Sequence, residues 1–348
     1  MSFYRNRLSE FQKVLETDRI DFHHVRRLCF NGIPDDSGYR PLCWKLLLNF
    51  LTSQVSVGRV PKKQRETYDN FVRETVVNLG LNENHDLESG AMLEDHPLNP
   101  NPESKWVTFF KDNEVLLQID KDVRRLCPDI SFFQQATEFP CKLVVENPHV
   151  ETLRKRVEQT VLNSANVTRN RLGITNITLS RKRAIEEYQP LPPGEEAHWE
   201  VVERILFIYA KLNPGQSYVQ GMNEIIGPIY YSFACDPNVE WRRKFLSHQI
   251  VFNNINKINF TNRPKLMVRG SAILLSLIFL LSDVIRIWDS LLADSSRFSF
   301  LIHVCCAMMI LLRDLLLAGD FPTNLKLLQN FPEMDIHKVL QKAVELQR

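Results

Sequence analysis

Residues 197 to 215, AHWEVVERILFIYAKLNPG, indicate the fold class most directly. Large apolar side chains recur every three or four residues along this stretch, and they are Trp199, Val202, Leu206 and Tyr209. That spacing places them on one face of an α-helix. Pro214 followed by Gly215 cannot continue a helix. The pattern therefore predicts a helix from Ala197 to Leu212 that packs its apolar face against the rest of the protein.

The same spacing returns in both directions along the chain. It predicts further helices at residues 40–48, 61–82, 105–127 and 219–233, and no stretch of useful length alternates apolar and polar residues as a strand does. Glycine is scarce, with 12 among 348 residues, which disfavours a hairpin-rich barrel or a glycine-looped nucleotide fold. We therefore expect an all-α protein. The proline-rich stretch 95–104 is predicted to be an extended loop, and the polar stretch 162–196 a flexible surface loop.

Charge and cysteine usage exclude several classes of function. Lys and Arg together number 43 and Asp and Glu 41, and a net charge of +2 disfavours a nucleic-acid-binding protein. The 7 cysteines include no C-x-x-C pair, so we expect reduced thiols in a cytoplasmic protein and no metal site. The chain also lacks a glycine-rich phosphate loop, so we expect it to bind no nucleotide through such a loop.

Two apolar stretches, 271–282 and 298–312, raise the alternative of a helical membrane protein. The first is bracketed by Arg269 and Asp283, and the second contains His303 and ends before Arg313. A membrane-spanning helix needs roughly 20 apolar residues, and both stretches are shorter than that. We therefore predict buried core helices and no transmembrane segment. The first residues of the chain also lack the apolar region of a secretory signal.

Two polar segments stand out among these helices as places for chemistry. Asp122 and Arg125 lie three residues apart at the end of the predicted helix 105–127, which lets them pair along one helix face. Residues 218–224, YVQGMNE, present Gln220 beside a glycine just after the Pro214–Gly215 break. The residue types alone favour simpler interpretations, namely basic residues at a helix end and a capping turn.

Taken together, the two segments resemble motifs of the TBC-domain family, whose members are GTPase-activating proteins for Rab GTPases. Ile119-x-x-Asp122-x-x-Arg125 resembles the family's arginine-finger motif. Residues 218–223, YVQGMN, resemble its glutamine-finger motif.

Two further segments are similar to structural motifs of the family, in the family's order. Residues 32–34, GIP, with Arg40 and Trp44 are similar to the opening motif. Residues 284–289, VIRIWD, resemble a late helix of the family. The residues of these two motifs that we single out are Gly32, Arg40, Trp44, Arg286, Trp288 and Asp289. The resemblance covers roughly residues 32–345.

The resemblance implies a role for each finger-motif residue. Arg125 would enter the nucleotide site of the Rab beside the phosphates, and Gln220 would orient the attacking water in place of the GTPase's own glutamine. Asp122 would position Arg125, and Tyr218 would support the glutamine loop. The other supporting residues are Ile119, Gly221 and Asn223. Arg124 is a rival for the finger, but the motif spacing selects Arg125.

The resemblance also implies the domain organisation, the partner and the cofactors. We expect an N-terminal helical extension at 1–31 and a TBC domain at 32–345, with a catalytic lobe to about 234 and a C-terminal helical lobe at about 235–345. The partner would be a GTP-bound Rab that supplies GTP and magnesium, so the chain would need no cofactor of its own. The protein would be cytoplasmic, with peripheral and transient association through the Rab with the membranes of vesicles or organelles, and would regulate vesicle trafficking. Residues 236–282 lack the helices that the family has there, which leaves a Rab-binding scaffold with weak or no catalysis as the alternative.

Overall fold

The computed structural model describes residues 2–17, 19–35, 38–49, 51, 62–77, 104–128, 130–147, 152–158, 160, 191–246, 279–295 and 298–347. Within these ranges the secondary structure is helical, and no strand is present. A short helical segment lies at 153–158. The other helices are α1 (Ser2–Leu15), α2 (Phe22–Phe30), α3 (Tyr39–Leu47), α4 (Lys62–Val72), α5 (Lys105–Val123), α6 (Lys142–Val145), α7 (His198–Leu212), α8 (Met222–Ala234), α9 (Val239–Leu246), α10 (Leu281–Ala293), α11 (Phe298–Leu311), α12 (Arg313–Ala318), α13 (Phe321–Gln329) and α14 (Ile336–Gln347).

The chain divides into two compact units. The terminal unit comprises Met1–Arg59, Glu224–Arg242 and Asn253–Arg348, and the middle unit comprises Val60–Asn223 and Arg243–Phe252. Helices α1–α3 and α10–α14 belong to the terminal unit, and α4–α7 belong to the middle unit. The domain boundaries expected from the sequence, at residue 32 and near residue 234, stay a prediction.

The middle unit is built around the packing of α5 against α7. Ser104 begins α5, and its hydroxyl accepts a hydrogen bond from the amide of Trp106 at 3.2 Å, which satisfies one of the free amides of the first turn. Along α5, Leu116, Ile119 and Val123 recur at helical spacing and are buried. Nearly every residue of α7 is buried as well. Burial of these faces fixes the carboxyl end of α5, where the first polar segment of the sequence lies.

The terminal unit contains two principal helix pairs, α2 with α10 and α11 with α14. In the second pair, the buried residues include Phe300, Val304 and Ala307 of α11 and Val339 and Ala343 of α14. The rest of α11 and the two following helices expose many large apolar side chains. These are Ile302, Met309, Ile310, Leu311, Leu315, Leu317, Phe321 and Leu325. The prediction that 298–312 is a buried helix is therefore right for one face and wrong for the other.

Most predicted helices are confirmed, and their ends differ by a few residues. The helix predicted at 61–82 continues from α4 as a π-helical turn, Arg73–Val77, and residues 78–82 lie outside the described residues. The predicted loops at 95–103 and 162–190, and residues 271–278, lie outside them too. Residues 191–196, the described end of the loop expected at 162–196, are not helical, but Glu196 is buried and paired with Arg204 of α7 at 2.9 Å, so this end of the loop is not wholly at the surface.

Among the described helices, none is both long and apolar enough to cross a lipid bilayer.

Candidate functional site

Asp122, in the last turn of α5, connects the two polar segments of the sequence. Its carboxylate oxygen Oδ1 accepts a hydrogen bond from Nη2 of Arg125. Its second oxygen, Oδ2, accepts from the hydroxyl of Tyr218 at 2.7 Å. Its backbone carbonyl accepts from the side-chain amide of Asn223 at 3.1 Å. Two acceptor atoms of Asp122 therefore join the end of α5 to the 218–223 segment, about a hundred residues further along the chain, and a third holds Arg125.

Arg125 lies just beyond the end of α5 and projects outward. Its side chain is 61% exposed, although the carboxylate that holds it is only 4% exposed. The neighbouring Arg124 is turned inward, with its side chain 20% exposed and its Nε 2.8 Å from Oδ1 of Asp120. The structure therefore separates two adjacent arginines that sequence spacing alone distinguishes weakly. Arg125 is the one that a partner protein can reach.

The backbone after α5 explains why the chain turns there. The amide of Arg124 still donates to the carbonyl of Asp120 at 3.1 Å, as in a helix. Cys127 then adopts a positive φ of 45°, which an L-residue rarely does inside a helix, and Pro128 follows. The helix has already ended at Val123, so Arg125 projects from the turn that follows and not from a regular helix face.

The 218–223 segment holds Gln220 at the surface between two fixed side chains. Tyr218 and Asn223 are buried, and both bond to Asp122. Gly221 is also buried and has a φ of +90°, which a residue with a Cβ adopts only with strain. Gln220 itself is exposed, two residues before α8 begins. The segment thus presents a carboxamide in water from a backbone that is held on both sides.

The structure brings together four of the seven finger-motif residues through direct hydrogen bonds, namely Asp122, Arg125, Tyr218 and Asn223. Gln220 and Gly221 lie within the segment that those bonds hold. Ile119 is completely buried in α5, one turn before Asp122, and packs in the core of the middle unit. This burial explains why the motif has an apolar residue three positions before Asp122.

A second cluster, in the terminal unit, assembles the opening and late motifs around Asp289. This carboxylate is fully buried, and Nε1 of Trp44 donates to it at 2.7 Å. Nε of Arg40 donates at 3.2 Å, and the amide of Ile33 donates at 3.0 Å. Burial raises the pKa of Asp289, while Arg40 and these hydrogen bonds oppose the rise. A buried carboxylate with this many donors is a structural connection between α3 and α10.

The late helix also requires Gly32. Its φ is +93°, and a Cβ at that position would lie 2.7 Å from Nε of Arg286. Arg286 donates to the hydroxyl of Ser290 at 2.8 Å, and that hydroxyl donates to the carbonyl of Phe30 at 2.7 Å. Trp288 is buried in the same helix. Gly32 and Arg286 therefore hold α10 close to the end of α2, and Trp288 contributes to the buried side of α10.

Sequence reasoning missed two buried charged pairs. Arg204 of α7 bonds to Glu196 at 2.9 Å and donates to the hydroxyl of Tyr68 at 3.3 Å. In the terminal unit, Nζ of Lys45 lies 2.5 Å from Oδ2 of Asp236, and burial lowers the pKa of that lysine. A charged residue inside an otherwise apolar helix was the available signal for Arg204, because such a residue is rarely buried without a partner.

No group of three or more His, Cys, Asp or Glu side chains within the described residues is placed to hold a metal ion.

Known proteins similar to this chain match it along almost its whole length. No protein-family model matches the chain. TBC1 domain family member 13 of mouse and of human are each 49% identical to it over 395 residues, covering 99% of this chain and 99% of each relative. A TBC domain-containing protein of Schizosaccharomyces pombe is 32% identical over 457 residues, covering 99% of this chain and 73% of the relative.

Among solved structures, the Ypt/Rab-GAP domain of Gyp1p superposes with a TM-score of 0.51 at 19% identity, covering 99% of this chain and 98% of that one. At that identity the match supports the all-α fold alone. Identity of 49% along almost the whole of both chains establishes that this protein belongs to the TBC1 domain family.

Proposed function

We propose that this protein accelerates GTP hydrolysis by a Rab-family GTPase, supplying Arg125 and Gln220 in trans. The observation that carries the proposal is the connection through Asp122. The buried carboxylate of Asp122 accepts from Arg125 with one oxygen and from Tyr218 with the other, and the backbone carbonyl of Asp122 accepts from Asn223. These bonds hold the end of α5 and the 218–223 segment together, and each of the two carries an exposed side chain, Arg125 and Gln220. A merely structural pair has no need to leave both functional groups in water.

The chemistry of the two side chains suits this reaction. Phosphoryl transfer to water develops charge on the phosphate oxygens, and catalysis consists mainly of stabilising that charge and placing the nucleophile. A guanidinium is permanently charged and offers a planar set of donors, which a lysine does not reproduce. A carboxamide both donates and accepts, so Gln220 can hold the attacking water and a backbone group of the partner together.

The partner follows from the same reasoning. The superposed domain of Gyp1p is described as a Ypt/Rab-GAP domain, which supports a Rab as the protein bound here. In this proposal GTP and magnesium belong to the Rab, and this chain contributes no cofactor. Recruitment by a membrane-attached Rab would take a cytoplasmic protein transiently to vesicles or organelles, with vesicle trafficking as the regulated process.

A second candidate is a Rab-binding scaffold with weak or no catalysis. The alignment with member 13 runs over 395 positions and this chain has 348 residues, so at least 47 of those positions hold no residue of this chain. The exposed apolar side chains of α11–α13 are the kind of surface that absent helices would otherwise cover. Loss of such helices could remove productive docking while both fingers stay in place.

Single-turnover hydrolysis of GTP by a panel of Rabs separates the two candidates. With the unaltered chain, we expect at least one Rab to hydrolyse GTP faster, and Arg125→Ala and Arg125→Lys to abolish that stimulation while binding persists. An arginine finger contributes on the order of 10³- to 10⁵-fold in rate. A Rab that binds the chain but is not stimulated would favour the scaffold. Stimulation that survives Arg125→Lys would refute the finger assignment.

A further inference from the structure

Arg124 makes two contacts that its neighbour Arg125 does not. Its Nε donates to Oδ1 of Asp120 at 2.8 Å, one turn earlier in α5. Its guanidinium carbon lies 4.8 Å from the centre of the ring of Trp199, in the first turn of α7. Trp199 is buried, so its ring is a fixed surface. A guanidinium over a buried indole face is a favourable cation–π contact.

The charges around Arg124 make its position necessary. Asp120 is buried, and burial raises its pKa while Arg124 lowers it. Glu203 of α7 is only 1% exposed, and burial, Asp120 and Glu200 all raise its pKa, which Arg124 again opposes. Arg124 therefore acts on three carboxyl groups at the seam between α5 and α7, and one of them, Glu200, also pairs with Arg154 at 3.6 Å. Removing that positive charge would leave buried carboxyl groups without this compensation, which is costly.

The backbone carries this arrangement to the next residue. The amide of Arg124 donates to the carbonyl of Asp120 at 3.1 Å, so Arg124 is held to Asp120 by both its main chain and its side chain. Arg125 follows directly in the turn that ends α5, and its own side chain is held by Asp122. Arg124 thus pairs with Asp120 and points inward to α7, whereas Arg125 pairs with Asp122 and points outward to the surface.

We propose that Arg124 is a positioning residue for Arg125, fixing the last turn of α5 against Trp199 so that the outward arginine is held ready for the partner. This inference rests on the proposed function. A finger that must be ordered during each encounter loses rate, and a displacement of about 1 Å in a catalytic group can cost on the order of 100-fold. The effect should fall on the maximal stimulated rate, because Arg124 itself faces inward and does not touch the Rab.

The test compares Arg124→Ala and Arg124→Lys with the unaltered chain, using the Rab that responds most strongly in the panel. Stimulated hydrolysis measured over a range of activator concentrations gives the maximal rate and the half-saturating concentration separately. We expect Arg124→Ala to lower the maximal rate about 10- to 100-fold with half-saturation changed by less than about twofold. Arg124→Lys should recover most of the rate, since an ammonium can also pair with Asp120 and lie over Trp199. Arg313→Ala, an exposed arginine of α12, is the matched control and should change neither quantity.

A second measurement needs no Rab. Hydrogen exchange of backbone amides at residues 123–127 should become faster in Arg124→Ala, while exchange in the rest of α7 and α5 stays slow, which distinguishes local release from misfolding.

Four results would overturn the inference. They are a maximal rate within twofold of the unaltered chain, a loss confined to half-saturation, a lysine variant as weak as the alanine variant, and unchanged exchange at 123–127. If no Rab responds to the unaltered chain, the proposed function itself fails, and the inference falls with it.

Discussion

Replacing Asp122 by asparagine tests the connection between the two finger segments most directly. Asn has nearly the same size and keeps the backbone carbonyl that accepts from Asn223. Its side chain keeps one acceptor oxygen and replaces the other by an NH₂ group, which donates and cannot accept. The carboxylate accepts from both Arg125 and Tyr218, whereas the uncharged amide can accept only one of these two hydrogen bonds through its side chain, so one of the two is lost in its present form.

The magnitude follows from which bond is lost and how exposed it is. A hydrogen bond to a charged group contributes ~1.5–3 kcal/mol and a neutral one ~1 kcal/mol. Because the Arg125 side chain is 61% exposed, solvent screens its pair and the lower part of that range applies. We therefore expect a cost of ~1–2 kcal/mol in holding the fingers, which corresponds to a loss of about 5- to 30-fold in stimulated rate. Tyr218→Phe removes the bond to the buried carboxylate and a longer contact with Asn223 at 3.4 Å, and at ~1.5–3 kcal/mol for a bond to a charged group it should cost about 10- to 150-fold.

The assay is single-turnover GTP hydrolysis with a responsive Rab, run on both single variants and the double variant. If Asp122 holds both segments, the double variant should lose less than the product of the single losses, because both changes break one connected set of bonds. Asp314→Asn, the same chemical change at an exposed position of α12, is the control and should leave the rate unchanged. An Asp122→Asn rate within twofold of the unaltered chain would refute the reasoning.

Three further predictions concern separate parts of the molecule. Stimulation should survive when the Rab's own glutamine is changed to Leu, and Gln220→Ala should then remove it; a Rab variant that resists the unaltered chain would contradict this role. Gly32→Ala should lower the melting temperature by several degrees, because a positive φ costs an L-residue ~1–3 kcal/mol and the added Cβ would also collide with the Arg286 side chain. Gly194→Ala, which has a similar φ but open space around its Cβ, is the control and should lower the melting temperature less. Equal shifts in the two variants would show that the collision with Arg286 costs nothing. Burial lowers the pKa of His198 to about 4 from 6.5. Its contribution to stability is therefore complete above pH 6.5 and is lost as pH falls towards 4, so urea unfolding of a His198→Gln variant should depend less on pH in that window. An unchanged pH dependence would show that His198 does not titrate in this way.

Local pattern predicted the helices well because the information for a helix is contained in neighbouring residues. The apolar face of α7 was identified from the spacing of Trp199, Val202, Leu206 and Tyr209, and all four are buried. The start of α8 and the end of α5 were misplaced by a few residues, since turn geometry at Cys127 and Gly221 depends on positive φ values that the residue types do not announce.

The sequence predicts which residues form the candidate site, and their roles stay a prediction, but it does not predict how those residues are connected. Motif spacing selected Arg125 over Arg124, but only the packing of α5 on α7 decides which of the two adjacent arginines turns inward. The bond from Tyr218 to Asp122 joins residues 96 positions apart, and no local pattern contains a contact of that range. The exposed face of α11 was equally out of reach, because which described helices pack on it depends on contacts between distant parts of the chain.

The long separation between Asp122 and its partners has a consequence for the order in which the protein becomes competent. The carboxylate, Arg125 and the turn after α5 are all synthesised well before Tyr218 and Asn223 exist. Arg125 can pair with Asp122 as soon as both residues are made. The 218–223 segment can bond to Asp122 only after residue 223 has left the ribosome and the chain between them has folded back. Contacts between distant residues carry the entropy of loop closure and form late in folding. A nascent chain or a fragment truncated before residue 218 would therefore carry Arg125 without Gln220, so that the proposed site is assembled only after the middle of the sequence has been joined to its earlier part.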